Sequence, residues 1–136
     1  RTTCSSTPQA SPAADAETIR AMQARARGVP IAEHVTTFAA RVLKASHPQD
    51  PASPARVRDF VRYGSSPRGL QAMILAGKIF ALLDGRYNVA YDDIRAAATP
   101  ALRHRLILNF EAQAEGVTTD AVIESILESV ALEEAR

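Results

Sequence analysis

Gly64-Ser65-Ser66-Pro67-Arg68-Gly69-Leu70 opens a stretch that stays mostly apolar as far as Leu83 and stops at Asp84-Gly85-Arg86. The spacing predicts a helix from Pro67 to about Leu83. Ser66 suits the N-cap, and Pro67 suits the first helical position, where a missing N–H costs nothing. Leu70, Met73, Ile74, Leu75, Ile79, Phe80, Leu82 and Leu83 cover most of its circumference, and Arg68, Gln71 and Lys78 form one narrow polar stripe. Such a pattern predicts a central, buried helix. Gly69 and Gly77 each cost roughly 1 kcal/mol relative to alanine inside a helix, which points to close approach by a neighbouring backbone or a ligand. Arg68 is the anomaly. A cation in the first turn faces the positive end of the helix dipole, and an anion such as phosphate would offset the repulsion. A capped helix whose arginine simply faces water is the plainer alternative.

On the N-terminal side, Asp15 to Arg27 reads as a weakly amphipathic helix with Ile19, Met22 and Ala26 on one face and Gly28 at its end. Ile31 to Ser46 carries Ile31, Val35, Phe38, Ala39, Val42 and Leu43 at helical spacing. Pro48, Pro51 and Pro54 make residues 47–55 a loop. Arg56 to Tyr63 is ambiguous, with Val57, Phe60 and Val61 available to a core. On the C-terminal side, Tyr91 to Leu102 reads as a helix with Asp92 and Asp93 in its first turn, where the dipole favours them. Leu106 to Ala112 fits either an extended segment or a short helix. Thr118 caps a last helix with Val122, Ile123, Ile126, Leu127 and Val130 as its stripe.

Hydrophobic residues make up 46% of the 136 and aromatics only 5%, with no tryptophan, so a core must be built from Leu, Ile, Val and Ala. That balance favours packed helices over a β-sandwich. The expected fold is all-α, a small bundle of four to five helices over residues 15–136. Residues 1–14, rich in Ser, Thr, Pro and Ala, read as a disordered tail or linker. A net charge of +1 argues against a dedicated nucleic-acid binder. No run of about 18 apolar residues is present, so no membrane insertion is expected, and residues 1–14 lack the apolar stretch of a signal peptide. Cys4 is the one cysteine, which excludes an internal disulfide and favours a reducing, cytoplasmic setting. A first residue other than Met hints at a fragment.

The chain offers little for catalysis. Cys4, His34, His47 and His104 are scattered and make no metal-ligand spacing, and no carboxylate pair stands out as acid and base. Gly77-Lys78 is followed by Ile79 and belongs to a helix, so it is no P-loop. No catalytic residue and no metal site are expected here, and this chain alone should not hydrolyse a nucleotide. Leu102-Arg103-His104-Arg105-Leu106 is the densest basic stretch. Arg103, His104 and Arg105 read either as a solvated turn or as an anion or subunit interface.

Taken in order, Gly64-Ser65-Ser66-Pro67-Arg68-Gly69-Leu70, Ala81-Leu82-Leu83-Asp84-Gly85-Arg86, Val89, Asp92-Asp93-Ile94, Leu102-Arg103-His104-Arg105-Leu106 and Glu111-Ala112-Gln113-Ala114-Glu115-Gly116-Val117 closely resemble the C-terminal lid domain of MoxR-type AAA+ ATPases. The likeness covers about residues 15–131, including Val29-Pro30-Ile31. It implies a helical bundle that closes over ATP bound to a larger α/β core, with Mg2+ held by that core and neither expected on the isolated lid. It implies that Arg68, behind Ser66 and Pro67, is the sensor 2 arginine. Gly69 stands where the family usually has Ala, and Ala90-Tyr91 replaces a common Thr-Pro, which removes a cap from the following helix. The implied partners are the core of the same protein, neighbouring subunits of a homo-hexamer, and proteins with a von Willebrand factor A domain. The implied role is chaperone-like remodelling or maturation of other proteins. A free-standing helical interaction module without a nucleotide role is the competing reading.

Overall fold

The computed structural model describes residues 11–134. Most of the expected tail, and Cys4 with it, lies outside that range; residues 11–14 carry no helix or strand. Among the described residues the elements run α1 (Ala16–Gly28), α2 (Glu33–Ala45), α3 (Ala55–Phe60), β1 (Val61–Tyr63), α4 (Pro67–Leu83), α5 (Tyr91–Leu102), β2 (Ile107–Leu108), α6 (Phe110–Glu115) and α7 (Thr119–Glu134). The five longer helices are those the periodicity predicts. The stretches it leaves open hold the two six-residue helices and one antiparallel ribbon, in which Val61 pairs with Leu108 and Tyr63 with Ile107. The fold is a small all-α bundle.

Local chemistry fixes most of the boundaries. Asp15 caps α1 by accepting the Thr18 N–H at 2.8 Å, and that bond holds its carboxyl below the usual range. The Asn109 side chain caps α6 in the same way, through the Ala112 N–H at 2.9 Å. Thr118 Oγ1 accepts the Ala121 N–H at 3.2 Å at the start of α7. α2 begins at Glu33 rather than Ile31, because the backbone around Ala32 is still extended. Gly85, with φ +71°, ends α4, and the Arg86 N–H returns to the Ala81 carbonyl at 2.8 Å. Pro100 lies inside α5 on its exposed side, so the carbonyl left without a donor faces water.

Phe38, Met73, Ile94, Leu102, Ile123 and Ile126 are the largest fully buried side chains and tie α2, α4, α5 and α7 into one core. α4 packs mainly on α5. Its buried line is Gly69, Met73, Gly77 and Ala81, a ridge of four-residue spacing in which three of four members are small. A Cβ on Gly77 would stand 3.0 Å from Ile94 Cδ1 and 3.4 Å from Val89 Cγ1. What comes close to these glycines is side chains, from α5 and the link before it at Gly77 and from Ser65 and Leu102 at Gly69, rather than a backbone or a ligand.

α4 departs from expectation in one respect: it is only partly buried. Leu75, Ile79 and Leu83 are exposed, Leu83 at 77%. α1 lies beside this flank, yet only Ala26 of its apolar face is buried; Ile19 and Met22 stay exposed. The reason is geometric. α5 and α2 occupy the other sides of α4, and α1 covers the remaining side only near its own C-terminus, where Lys78 Nζ donates to the Arg27 carbonyl at 2.9 Å.

Candidate functional site

The site is the start of α4. Ser66 occupies the N-cap position and Pro67 the first helical position, as the sequence predicts. The Ser66 side chain makes no capping bond, however; the Ser66 carbonyl instead accepts the Gly69 N–H at 2.8 Å in a tight first turn. Ser66, Pro67 and Arg68 are all exposed. Among the described residues no hydrogen bond or ion pair engages the Arg68 guanidinium, so it stands free at the positive end of the longest helix.

The turn after α5 lies at the same end of the α4–α5 pair. A Cβ on Gly69 would come within 2.9 Å of Leu102 Cδ2, so Leu102 and the residues that follow it flank the start of α4. Of the three basic residues there, Arg103 is spoken for. Its Nε and Nη2 donate to the two oxygens of Asp120, each at 2.6 Å, joining the end of α5 to the start of α7. The bond to Arg103 lowers the Asp120 pKa, and the bond to Asp120 raises that of Arg103. Arg105 Nη1 donates to the Ala101 carbonyl at 2.8 Å and also contacts the His104 ring. His104 is exposed.

A second polar centre escapes a reading of the sequence. Arg86 Nη1 and Nη2 donate to Asp93 at 2.9 and 2.6 Å, and Nη2 also reaches Asp84 at 3.0 Å. Asp93 Oδ2 in turn accepts the Ala90 N–H at 2.7 Å. That last bond is one half of a capping box, a carboxylate three residues into the helix reaching back to the N-cap amide; Ala90 has no side-chain oxygen for the other half. The Arg86 guanidinium holds the Asp93 carboxyl below the usual range despite burial, and Asp93 raises Arg86. The only sequence signal is Asp-Gly-Arg followed seven residues later by the second of two aspartates. This centre sits at the far end of the α4–α5 pair from Arg68 and locks the link between the helices. Among the described residues no three His, Cys, Asp or Glu side chains gather as metal ligands would, and no helix is long and apolar enough to cross a membrane.

The chain that carries this proline-initiated helix has counterparts among known proteins. Residues 53–126 match the family described as AAA lid domain, and the chain belongs to that family. It is 33% identical over 95 residues to Chaperone MoxR1 of Mycobacterium tuberculosis, a match covering 70% of this chain and 25% of that protein. It is 41% identical over 49 residues to Protein MoxR of Paracoccus denitrificans, covering 36% of this chain and 14% of that one. A crystal structure from Cytophaga hutchinsonii superposes with a TM-score of 0.78 at 27% identity, over 83% of this chain and 34% of the other. Within the AAA lids the chain is of the MoxR type. It spans about a quarter or less of the length of the curated relatives it matches.

Proposed function

We propose that this lid closes over ATP held by an α/β core on the same polypeptide, and that Arg68 is its sensor 2 arginine. The observation that carries the reading is Arg68 itself: an exposed guanidinium without a partner among the described residues, in the first turn of the family's central helix. The chemistry fits a phosphate. A planar, permanently charged fork meets phosphate oxygens with two parallel bonds, and the α4 dipole adds to its field. ATP, when bound, supplies a phosphoryl group whose transfer spreads negative charge over its terminal oxygens. Arg68 would stabilise that charge and be released from it afterwards, so the lid's angle would follow nucleotide state. Mg2+ would be held by the core; among the described residues no carboxylate cluster gathers as metal ligands would.

The same reading assigns the exposed apolar flank of α1 and α4 a role. A groove of about 550 Å³ runs there between Met22, Ala26, Leu75, Ile79, Leu82 and Leu83. It is the kind of surface that docks on another domain, here the core or a neighbouring subunit of a homo-hexamer. Arg103, His104 and Arg105 lie at the Arg68 end of the bundle, away from this groove, and would meet the core or a neighbouring subunit as a separate contact. Coupled to ATP turnover, the movement would serve chaperone-like remodelling or maturation of partner proteins in the cytoplasm, partners with a von Willebrand factor A domain among them.

The test is Arg68→Ala in the intact ATPase, with ATP turnover and ATP affinity measured. Turnover is expected to fall about a hundredfold, the scale seen when one preorganised contact to developing charge is removed. Wild-type values for both quantities would sink the assignment.

A further inference from the structure

The backbone that carries Arg68 is gripped from two sides. On one side is Ser46, which closes α2 and is fully buried. Its Oγ donates to the Leu43 carbonyl at 2.6 Å and accepts the Ser65 backbone N–H at 3.0 Å, nineteen residues away in sequence. One hydroxyl hydrogen and two lone pairs allow both bonds at once. Ser65 is also fully buried, so its N–H has no water to fall back on. The next residue back, Gly64, approaches so closely that a Cβ there would lie 2.6 Å from the Ser46 carbonyl oxygen and 2.7 Å from His47 Nδ1. The turn behind Ser46 is braced in its turn. Ser53, buried, donates its hydroxyl to the His47 carbonyl at 2.5 Å, and the Asp50 N–H reaches the same carbonyl at 3.0 Å. On the other side, Gly69 lies against Leu102 of α5 and the Ser65 side chain.

We infer that Ser46 is a positioning residue for Arg68, setting through the Ser65 amide where the guanidinium stands relative to the nucleotide. The inference rests on the sensor reading of Arg68 given above. A hydroxyl is required because the acceptor must reach a buried amide while itself being oriented by a helix carbonyl. Alanine leaves the Ser65 N–H buried and unpaired, and the segment then relaxes away from α2. Threonine keeps both bonds.

The experiment is a double-mutant cycle on ATP turnover in the intact ATPase, using Ser46→Ala, Arg68→Ala and the pair, with Ser46→Thr as the conservative control. Amide hydrogen exchange at Ser65 is followed in the same proteins. The expected result is a fall in kcat of about tenfold for Ser46→Ala, within the range that an ångström of misplacement produces. KM for ATP changes little, Ser65 exchange quickens, and Ser46→Thr restores turnover. In the Arg68→Ala background Ser46→Ala lowers kcat no further, because residues acting as one unit are not additive. Equal loss in both backgrounds would make Ser46 merely structural, and a Ser46→Ala variant that keeps wild-type kcat with Arg68 intact would also overturn the inference. If Arg68→Ala alone leaves turnover at the wild-type level, the sensor reading fails first and takes this one with it. Should Ser46→Ala not fold, Gly64→Ala, whose methyl would press on the Ser46 carbonyl and the His47 ring and so displace the same segment, enters the same cycle, with the same results deciding.

Discussion

Replacing Asp93 by asparagine removes one negative charge from the α4–α5 link and changes almost nothing in shape. Asp93 is 3% exposed and accepts from both terminal nitrogens of Arg86 and from the Ala90 amide. An asparagine must turn its NH2 toward donors, so at least one of the three loses its acceptor. Breaking one side of a buried ion pair costs about 3–5 kcal/mol in general. Here the Arg86 side chain is 37% exposed and keeps Asp84 at 3.0 Å, so water and Asp84 recover part of the loss. The expected cost of losing the Asp93 charge is about 2 kcal/mol. For a chain of this size that is a fall in Tm of roughly 6–10 °C, readable by circular dichroism. The sign of the pH dependence gives a second check. The folded carboxyl titrates below its unfolded value of about 3.9, so its contribution is complete above about pH 5 and is lost as pH falls through the folded pKa. The gap between wild type and Asp93→Asn should therefore be widest at neutral pH and close below about pH 4. A Tm change under about 2 °C at pH 7, or a gap that widens in acid, would refute the claim that this carboxylate holds the link.

Two further substitutions address the end of α4 and its exposed flank. Gly85→Ala should cost about 1 kcal/mol, since φ is +71° and nothing lies within 4 Å of the new methyl; the penalty is backbone strain alone and is read as a lowered Tm. Leu83→Ser should leave the Tm of this chain unchanged, because Leu83 is exposed, while lowering ATP turnover in the intact protein if the α1–α4 flank docks on the core; a lowered Tm would instead place Leu83 in the lid's own core.

The long helices were legible because burial imposes a period on them. α2 shows this most clearly: Val35, Phe38, Ala39 and Val42 are all buried as their spacing demands. α3, β1, β2 and α6 have two to six residues each, too few for a period to express itself. The length of α4 was legible but not its degree of burial. An apolar face reports that something covers it, not whether the cover belongs to the same bundle, and Leu75, Ile79 and Met22 read the same in either case. At the site, Ser66, Pro67 and Arg68 could be found because helix starts are local. The grip of Ser46 on Ser65 and the Arg86–Asp93 pair could not. A serine after a lysine-alanine helix end carries no mark of a hydrogen-bond partner nineteen residues on.

The glycines around Arg68 have a mechanical consequence. Gly64 and Gly69 save space: the position of each missing methyl is taken by a neighbouring atom. They are packing contacts, not joints. The two glycines with left-handed backbone, Gly85 and Gly116, stand in open space and outside the segment from Gly64 to Gly69. Neither Gly64 nor Gly69, the glycines that flank Arg68, has a left-handed backbone. The backbone that carries the arginine is thus fixed to the bundle, and travel of the helix start is travel of the bundle, while the exposed side chain keeps its own rotamers. If the lid turns on a core as proposed, such an arm would carry the start of α4 with it as one piece.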